Sequence, residues 1–235
     1  MKIYTYYEDI KAYRQVEILE LWKYSWEKYG FDPIVLSEID AQKNVFYNEF
    51  IDKMQEIHLR IINKPISNYG MSCYKRWLAY ATQNEERFYF SDYDIINNGF
   101  MPEKPINQLH LMDECCPCFG SGSPSEIQIL CQTMINMSLE NINELIDKKI
   151  TPCYHDQEFF VYNKSKLLKD NLCYFSRERP KFCAFYEYNQ DNSKSLVIHL
   201  AHNNMGLIRD KYPELFKNRT ADDLRILFMK EILEK

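Results

Sequence analysis

Glycine is scarce in this chain, at six among 235 residues, and none falls in a phosphate-cradling pattern. Neither G-x-x-x-x-G-K-[ST] nor G-x-G-x-x-G occurs, which removes a P-loop and a dinucleotide fingerprint. No run of about 18 apolar residues exists, so no transmembrane segment is expected. The start, Met1-Lys2-Ile3-Tyr4-Thr5-Tyr6, lacks the apolar core of a signal peptide, and a cytoplasmic location is expected. Basic residues are not in excess either. The formal net charge is −5, which argues against nucleic acid or an anionic membrane as a general partner. Repeats, low-complexity stretches and flexible linkers are also missing.

Eight cysteines are present. Without an export signal they are expected to be reduced thiols. Cys115, Cys116 and Cys118 lie close together, but no second C-x-x-C exists and Cys153 is isolated. That spacing does not supply a four-ligand zinc site. Hydrophobic residues at 46% and charged residues at 27% are ordinary for a globular protein. The 18 tyrosines suit stacking surfaces for planar or sugar ligands, or reflect compositional bias.

The order of elements is that of an α/β protein. Residues Lys2 to Tyr7 form an apolar-aromatic run of strand type. Val16, Leu19, Trp22 and Trp26 follow at helical spacing within residues 11–29, and Gly30 stands where a helix ends. Pro33 to Leu36 reads as a second strand, closed by Ser37-Glu38-Ile39-Asp40. Strand, helix and strand within forty residues open a parallel unit. A polar, helical region reaches residue 62, and a crossover helix is predicted over 72–83. Gln108 to Met112 reads as a strand. Phe119 to Pro124 reads as a loop on the acceptor side, with Ser123 as N-cap and Pro124 at the first helical position. Helices are predicted to about 137, over 139–148, and over Ala221–Leu233 with Thr220 as cap. Leu196 to Leu200 is a late strand.

The segment richest in chemistry is Phe88-Tyr89-Phe90-Ser91-Asp92-Tyr93-Asp94. An apolar strand runs into two aspartates one residue apart. They stand where open α/β sheets bind ligands, outside the carboxyl ends of the strands. Two close carboxylates repel unless a cation lies between them or one takes a proton. A hard divalent ion with oxygen ligands, shared with a phosphate, resolves that conflict.

Taken in order, these features resemble the GT-A family of nucleotide-sugar glycosyltransferases. The matching pieces are Tyr4-Thr5-Tyr6, Asp40, Lys75-Arg76, Phe90-Ser91-Asp92-Tyr93-Asp94, Tyr154-His155-Asp156-Gln157-Glu158 and Val197-Ile198-His199. Only the D-x-D strand is specific. The resemblance implies a single Rossmann-related GT-A domain over residues 1–235, with a central, mostly parallel mixed sheet flanked by helices. Residues 1–105 would form its nucleotide-binding half and 106–235 its acceptor-binding half. It implies a metal-dependent transfer of a sugar from a nucleoside diphosphate sugar, UDP foremost, to a hydroxyl of a glycan acceptor. The ion would be manganese or magnesium.

The resemblance also assigns residues. Asp92, Asp94 and His199 would hold the metal, with His202 as the spare histidine. Tyr4, Thr5, Tyr6, Asp40, Lys75, Arg76, Asp92 and Tyr93 would bind the nucleotide sugar. Asp156 and Glu158 would serve the acceptor or the reacting sugar; apart from the resemblance, Asp113 and Glu114 form a second acidic pair, after the 108–112 strand, that could instead supply the base. Asp156 and Glu158 equally fit a helix N-terminus, where acids complement the dipole. After His199 the chain departs from the family pattern. Relatives continue Gly-x-x-Lys-Pro-Trp, whereas here Leu200-Ala201-His202-Asn203-Asn204-Met205-Gly206 follows, so the phosphate-binding lysine lacks a counterpart. Two other activities fit an α/β sheet with acids at a strand end. One is a nucleotidyltransferase or sugar-nucleotide pyrophosphorylase, disfavoured because Tyr6-Tyr7-Glu8-Asp9 replaces a glycine-rich basic loop. The other is a non-catalytic carbohydrate-binding module.

Overall fold

The first strand shows how the molecule is layered. Along β1 (Lys2–Tyr6), Ile3 packs into one buried cluster while Tyr4 and Tyr6 pack into another, as alternation requires. In the computed structural model, residues 1–10, 15–112, 117–150, 154–176 and 183–234 are described. The order continues with α1 (Gln15–Glu27), β2 (Asp32–Leu36), α2 (Glu38–Gln42), α3 (Tyr47–Ile62), α4 (Asn68–Ala81) and β3 (Phe88–Ser91). Next come β4 (Ile95–Asn97), β5 (His110–Leu111), β6 (Phe119–Gly122), α5 (Pro124–Glu140), α6 (Ile142–Asp147) and α7 (Asp156–Lys169). The chain ends with β7 (Tyr174–Phe175), β8 (Cys183–Phe185), β9 (Val197–His199), α8 (His202–Lys211) and α9 (Ala221–Leu233).

The main sheet has the order β2-β1-β3-β6-β5-β7. Strands β2, β1 and β3 are parallel, β6 runs antiparallel to both β3 and β5, and β7 is parallel to β5. This is a mixed α/β sheet flanked by helices, the expected class. One face carries Tyr4, Tyr6, Phe88 and Phe90 against Trp77, Leu78 and Met134 of α4 and α5. The opposite face carries Ile3, Tyr89 and Phe119 against Trp22 and Trp26 of α1. Trp77 and Trp26 are both fully buried, and truncating either to Ala would cost about 3–5 kcal/mol. Among the described residues no helix is long and apolar enough to cross a membrane.

A second, three-stranded sheet, β4-β9-β8, was not legible in the sequence. It pairs β4 antiparallel to β9 and β9 parallel to β8. Its apolar residues Ile96 and Ile198 pack with Leu224, Phe228 and Met229 of α9.

The segment 119–122, expected as a loop open to a sugar, is instead the buried strand β6. Its glycines face side chains rather than a ligand. Gly120 pairs with Phe90 across the ladder, and that ring fills the space a side chain would take. Beyond it, Ser123 and Pro124 start α5 as expected: Glu126 N–H donates to Ser123 Oγ (3.2 Å) and Ser123 N–H to Glu126 Oε2 (2.9 Å).

A Cβ at Gly120 would lie 2.4 Å from the His110 carbonyl oxygen and 2.6 Å from the Phe90 ring. Gly120→Ala is therefore expected to lower unfolding stability by about 1–3 kcal/mol or more in urea titrations. Gly206→Ala, in α8 with nothing within 4 Å of the added carbon, is expected to hold or gain up to about 1 kcal/mol.

Candidate functional site

The site begins at the end of β3. Its last residues, Phe90 and Ser91, are buried, and Trp22 Nε1 donates to Ser91 Oγ (2.9 Å). The chain then turns tightly through Asp92-Tyr93-Asp94 into β4, with Ile95 N–H donating to the Asp92 carbonyl (3.2 Å) and Asp92 N–H to the Cys118 carbonyl (2.7 Å). Both aspartates thus lie at the carboxyl end of a central parallel strand.

Ladder register brings His199 to them. Ile95 pairs with His199, and Leu200 N–H donates to the Asp94 carbonyl (2.9 Å). His199 Nε2 stands 3.3 Å from Asp94 Oδ1, and one ligand atom each from Asp92, Asp94 and His199 lie within 4.8 Å of one another. Asp94 and His199 are buried and Asp92 is half-buried.

Two arginines balance the acids. Arg225 of α9 donates through Nη2 to Asp94 Oδ2 and through Nε to the Leu200 carbonyl (2.8 Å). Arg76 of α4 donates through Nη1 to Asp92 Oδ1, and through Nε (2.9 Å) and Nη2 to Asp156 Oδ2. Burial raises both D-x-D carboxyls, but the outcomes differ. At Asp94 the nearby His199 and Arg225 outweigh burial and hold the group below the usual carboxylate range. At Asp92 the pull of Arg76 falls short, Asp94 adds repulsion, and the group is raised. Asp94 is the firmly ionised member, and Asp92 is the one that takes a proton first as pH falls.

This donor set fits a divalent ion. Asp94 Oδ1 is buried and accepts no hydrogen bond among the described residues. A carboxylate oxygen facing an imidazole nitrogen at 3.3 Å, with a second carboxylate beside them, suits a metal with mixed oxygen and nitrogen ligands. Neither of two surface clefts, one lined by Tyr186, Tyr188 and Glu231 and the other by His202, Arg209 and Phe216, includes these acids.

No family model and no curated protein matches the chain. It is similar to two solved structures of LgtC. One is of an active-site mutant, with 10% identity, a TM-score of 0.49, and coverage of 92% of this chain and 95% of that one. The other is of the galactosyltransferase LgtC with donor and acceptor sugar analogues, with 11% identity, a TM-score of 0.48 and the same coverage. Likeness at that level assigns this chain no family, donor or acceptor.

The remaining expected residues are distributed unevenly around the acids. Tyr4 points away from them: its ring is buried against Phe88 and its hydroxyl donates to Glu85. Thr5 is buried, and Tyr6 is buried with its hydroxyl donating to Glu8 (3.1 Å). Asp40 caps α2, accepting from Ser37 N–H (2.9 Å) and Lys43 Nζ (2.7 Å). Lys75 is held by Glu8 (3.0 Å) and Glu38 (2.6 Å), and Tyr47 also donates to Glu38 (2.6 Å). Tyr93 is half-buried between the two aspartates, its ring edge-on to Tyr7 at 5.7 Å. His202 is exposed at the start of α8 and stands outside the acid group. Asp113, Glu114, Cys115, Cys116 and Cys153 lie outside the described residues.

Asp156 is 1% exposed, and its Oδ2 also accepts from Trp77 Nε1 (2.8 Å). Arg76 and these bonds hold its carboxyl below the usual range against the cost of burial. As placed, its Oδ2 anchors Arg76. Glu158 closes the capping box of α7, accepting from His155 N–H (3.1 Å). Sequence reading did not single out Arg225, Glu8 or Glu38. The two glutamates were readable as acids at the ends of β1 and β2. Arg225 carried no signal, because its partner is 131 residues away.

His155 gives the site a pH signature. Burial lowers its basicity, but bonds to Asp156 and Glu158 outweigh that and raise it to about 9. The stability it contributes is complete below about pH 6.5, its unfolded value. It is lost as pH rises toward about 9. Melting temperatures from pH 6 to 10 are expected to fall more steeply for wild type than for His155→Gln. Equal slopes would contradict this.

Proposed function

We propose that this chain is a metal-dependent glycosyltransferase of the GT-A type. It moves a sugar from a nucleoside diphosphate sugar, UDP foremost, to a hydroxyl of a glycan acceptor. The observation that carries this reading is the convergence of Asp92, Asp94 and His199 at the end of β3, with Asp94 Oδ1 left without a hydrogen bond.

Asp94 Oδ1 and His199 Nε2 would hold manganese or magnesium, with Asp92 as the third ligand. When bound, such an ion neutralises charge growing on the departing diphosphate. The protein groups orient and balance. Arg76 fixes Asp92 from one side, and Asp156 fixes Arg76 from behind. Lys75, Glu8 and Glu38 stand beyond the ends of β1 and β2, where α/β sheets take nucleosides. In this reading Lys75 exchanges a glutamate for a phosphate oxygen, and a freed glutamate accepts from ribose hydroxyls. Tyr7 and Tyr93 offer ring faces at the same edge. Asp156 is a positioning residue here, which leaves Asp113 and Glu158 as the acids for the acceptor side.

Calorimetry with UDP, with and without manganese, tests the assignment. Wild type is expected to bind UDP in a manganese-dependent manner. Asp94→Asn, which keeps an acceptor for Arg225 and removes the ligand charge, is expected to lose at least about 100-fold in affinity. Manganese-independent binding that Asp94→Asn leaves unchanged would refute the proposal, and preference for a triphosphate would favour nucleotidyl transfer.

A further inference from the structure

The acid turn is tied to the far end of the chain through one residue. Leu200 N–H donates to the Asp94 carbonyl, the Leu200 carbonyl accepts from Arg225 Nε, and Arg225 Nη2 donates to Asp94 Oδ2. This closed ring links the β3–β4 turn, the end of β9 and helix α9. Arg225 is 4% exposed, and its Nη1 reaches Asp222 at 3.4 Å. A buried guanidinium beside a carboxylate that also serves a metal repels that metal across a few ångströms of low-dielectric protein.

We propose that Arg225 is the resident counter-cation of Asp94, that it shares this carboxylate with the divalent ion, and that α9 thereby sets how tightly the site takes metal. The inference rests on the metal reading of Asp92, Asp94 and His199. Arg225 satisfies Oδ2 and leaves Oδ1 as the oxygen toward His199. An ion at Oδ1 draws charge from the same carboxylate and weakens the bond at Oδ2. Metal uptake therefore loosens α9, and anything that anchors α9 opposes metal uptake. Helix α9 is well placed to transmit this. Leu224, Phe228 and Met229 pack in one cluster with Ile96, Ile198 and Leu200 of the small sheet. Lys230 on the same helix pairs with Glu17 of α1 (2.7 Å).

Manganese titrations of the full chain, read by electron paramagnetic resonance, need no donor or acceptor. Arg225→Met keeps the stem and removes the charge. It is expected to bind manganese at least about tenfold tighter than wild type, whereas Arg225→Lys stays close to wild type. A role confined to packing or to orienting Asp94 predicts the reverse, and weaker or unchanged binding by Arg225→Met overturns the proposal. Where that variant fails to fold, the wild-type chain decides the matter. Manganese is expected to speed amide hydrogen exchange across 221–233, and slowed or unchanged exchange overturns the proposal. A wild-type chain that takes up no manganese removes the metal reading itself. Uptake that is indifferent to Arg225 removes only this inference.

Discussion

The buried guanidinium of Arg76 is the constraint on which the site depends. It stands between the acid that ends β3 and the acid that begins α7, and it satisfies both. Without it Asp92 would lose its one arginine, and Asp156 would keep only Trp77 and His155, at the edge of the aromatic layer built by Trp77, Phe90 and Phe160. Breaking such a buried pair costs several kcal/mol, because the partner left behind stays desolvated. Arg76 thus couples the folding of the crossover helix to the placement of the D-x-D turn. The fold and the geometry of the acids are one problem with one solution.

A second cation solves the other half. Arg225 comes from the last helix and meets Asp94 through the small sheet, whose β4–β9 register also delivers His199. Each aspartate therefore has its own arginine, one from α4 and one from α9. This division keeps Asp94 ionised and leaves Asp92 the more easily protonated member. Two carboxylates of unequal basicity form an asymmetric pair.

Local signals in the sequence were reliable where the physics is local. Apolar-aromatic runs placed β1 and the D-x-D strand, helical spacing placed α1, and Ser123-Pro124 and Thr220 marked real helix starts. His199 was legible as a histidine ending an apolar strand. Strand β6 was not, because a Phe-Gly-Ser-Gly run is a strand only when Phe90 lies across from Gly120 to fill the gap. Of the small sheet only β9 was legible: β4 and β8 are three residues long, and the β4–β9 ladder joins residues about a hundred positions apart. Asp156 was legible as an acid that begins a helix, which it does, whereas the convergence of Arg76 and Trp77 on one of its oxygens was not. Arg225 looked like any charge on a terminal helix until the fold folded it back onto Asp94.

The central claim is that Asp92, Asp94 and His199 are the ligands of one divalent ion. Crystals grown with manganese and UDP, measured at the manganese absorption edge, test it most directly. The account predicts a single strong anomalous peak bonded to Asp94 Oδ1 and His199 Nε2, with the diphosphate against it. Anomalous maps without a peak at that position, with Arg76 and Arg225 still closed on both aspartates and UDP absent or bound elsewhere, would contradict it.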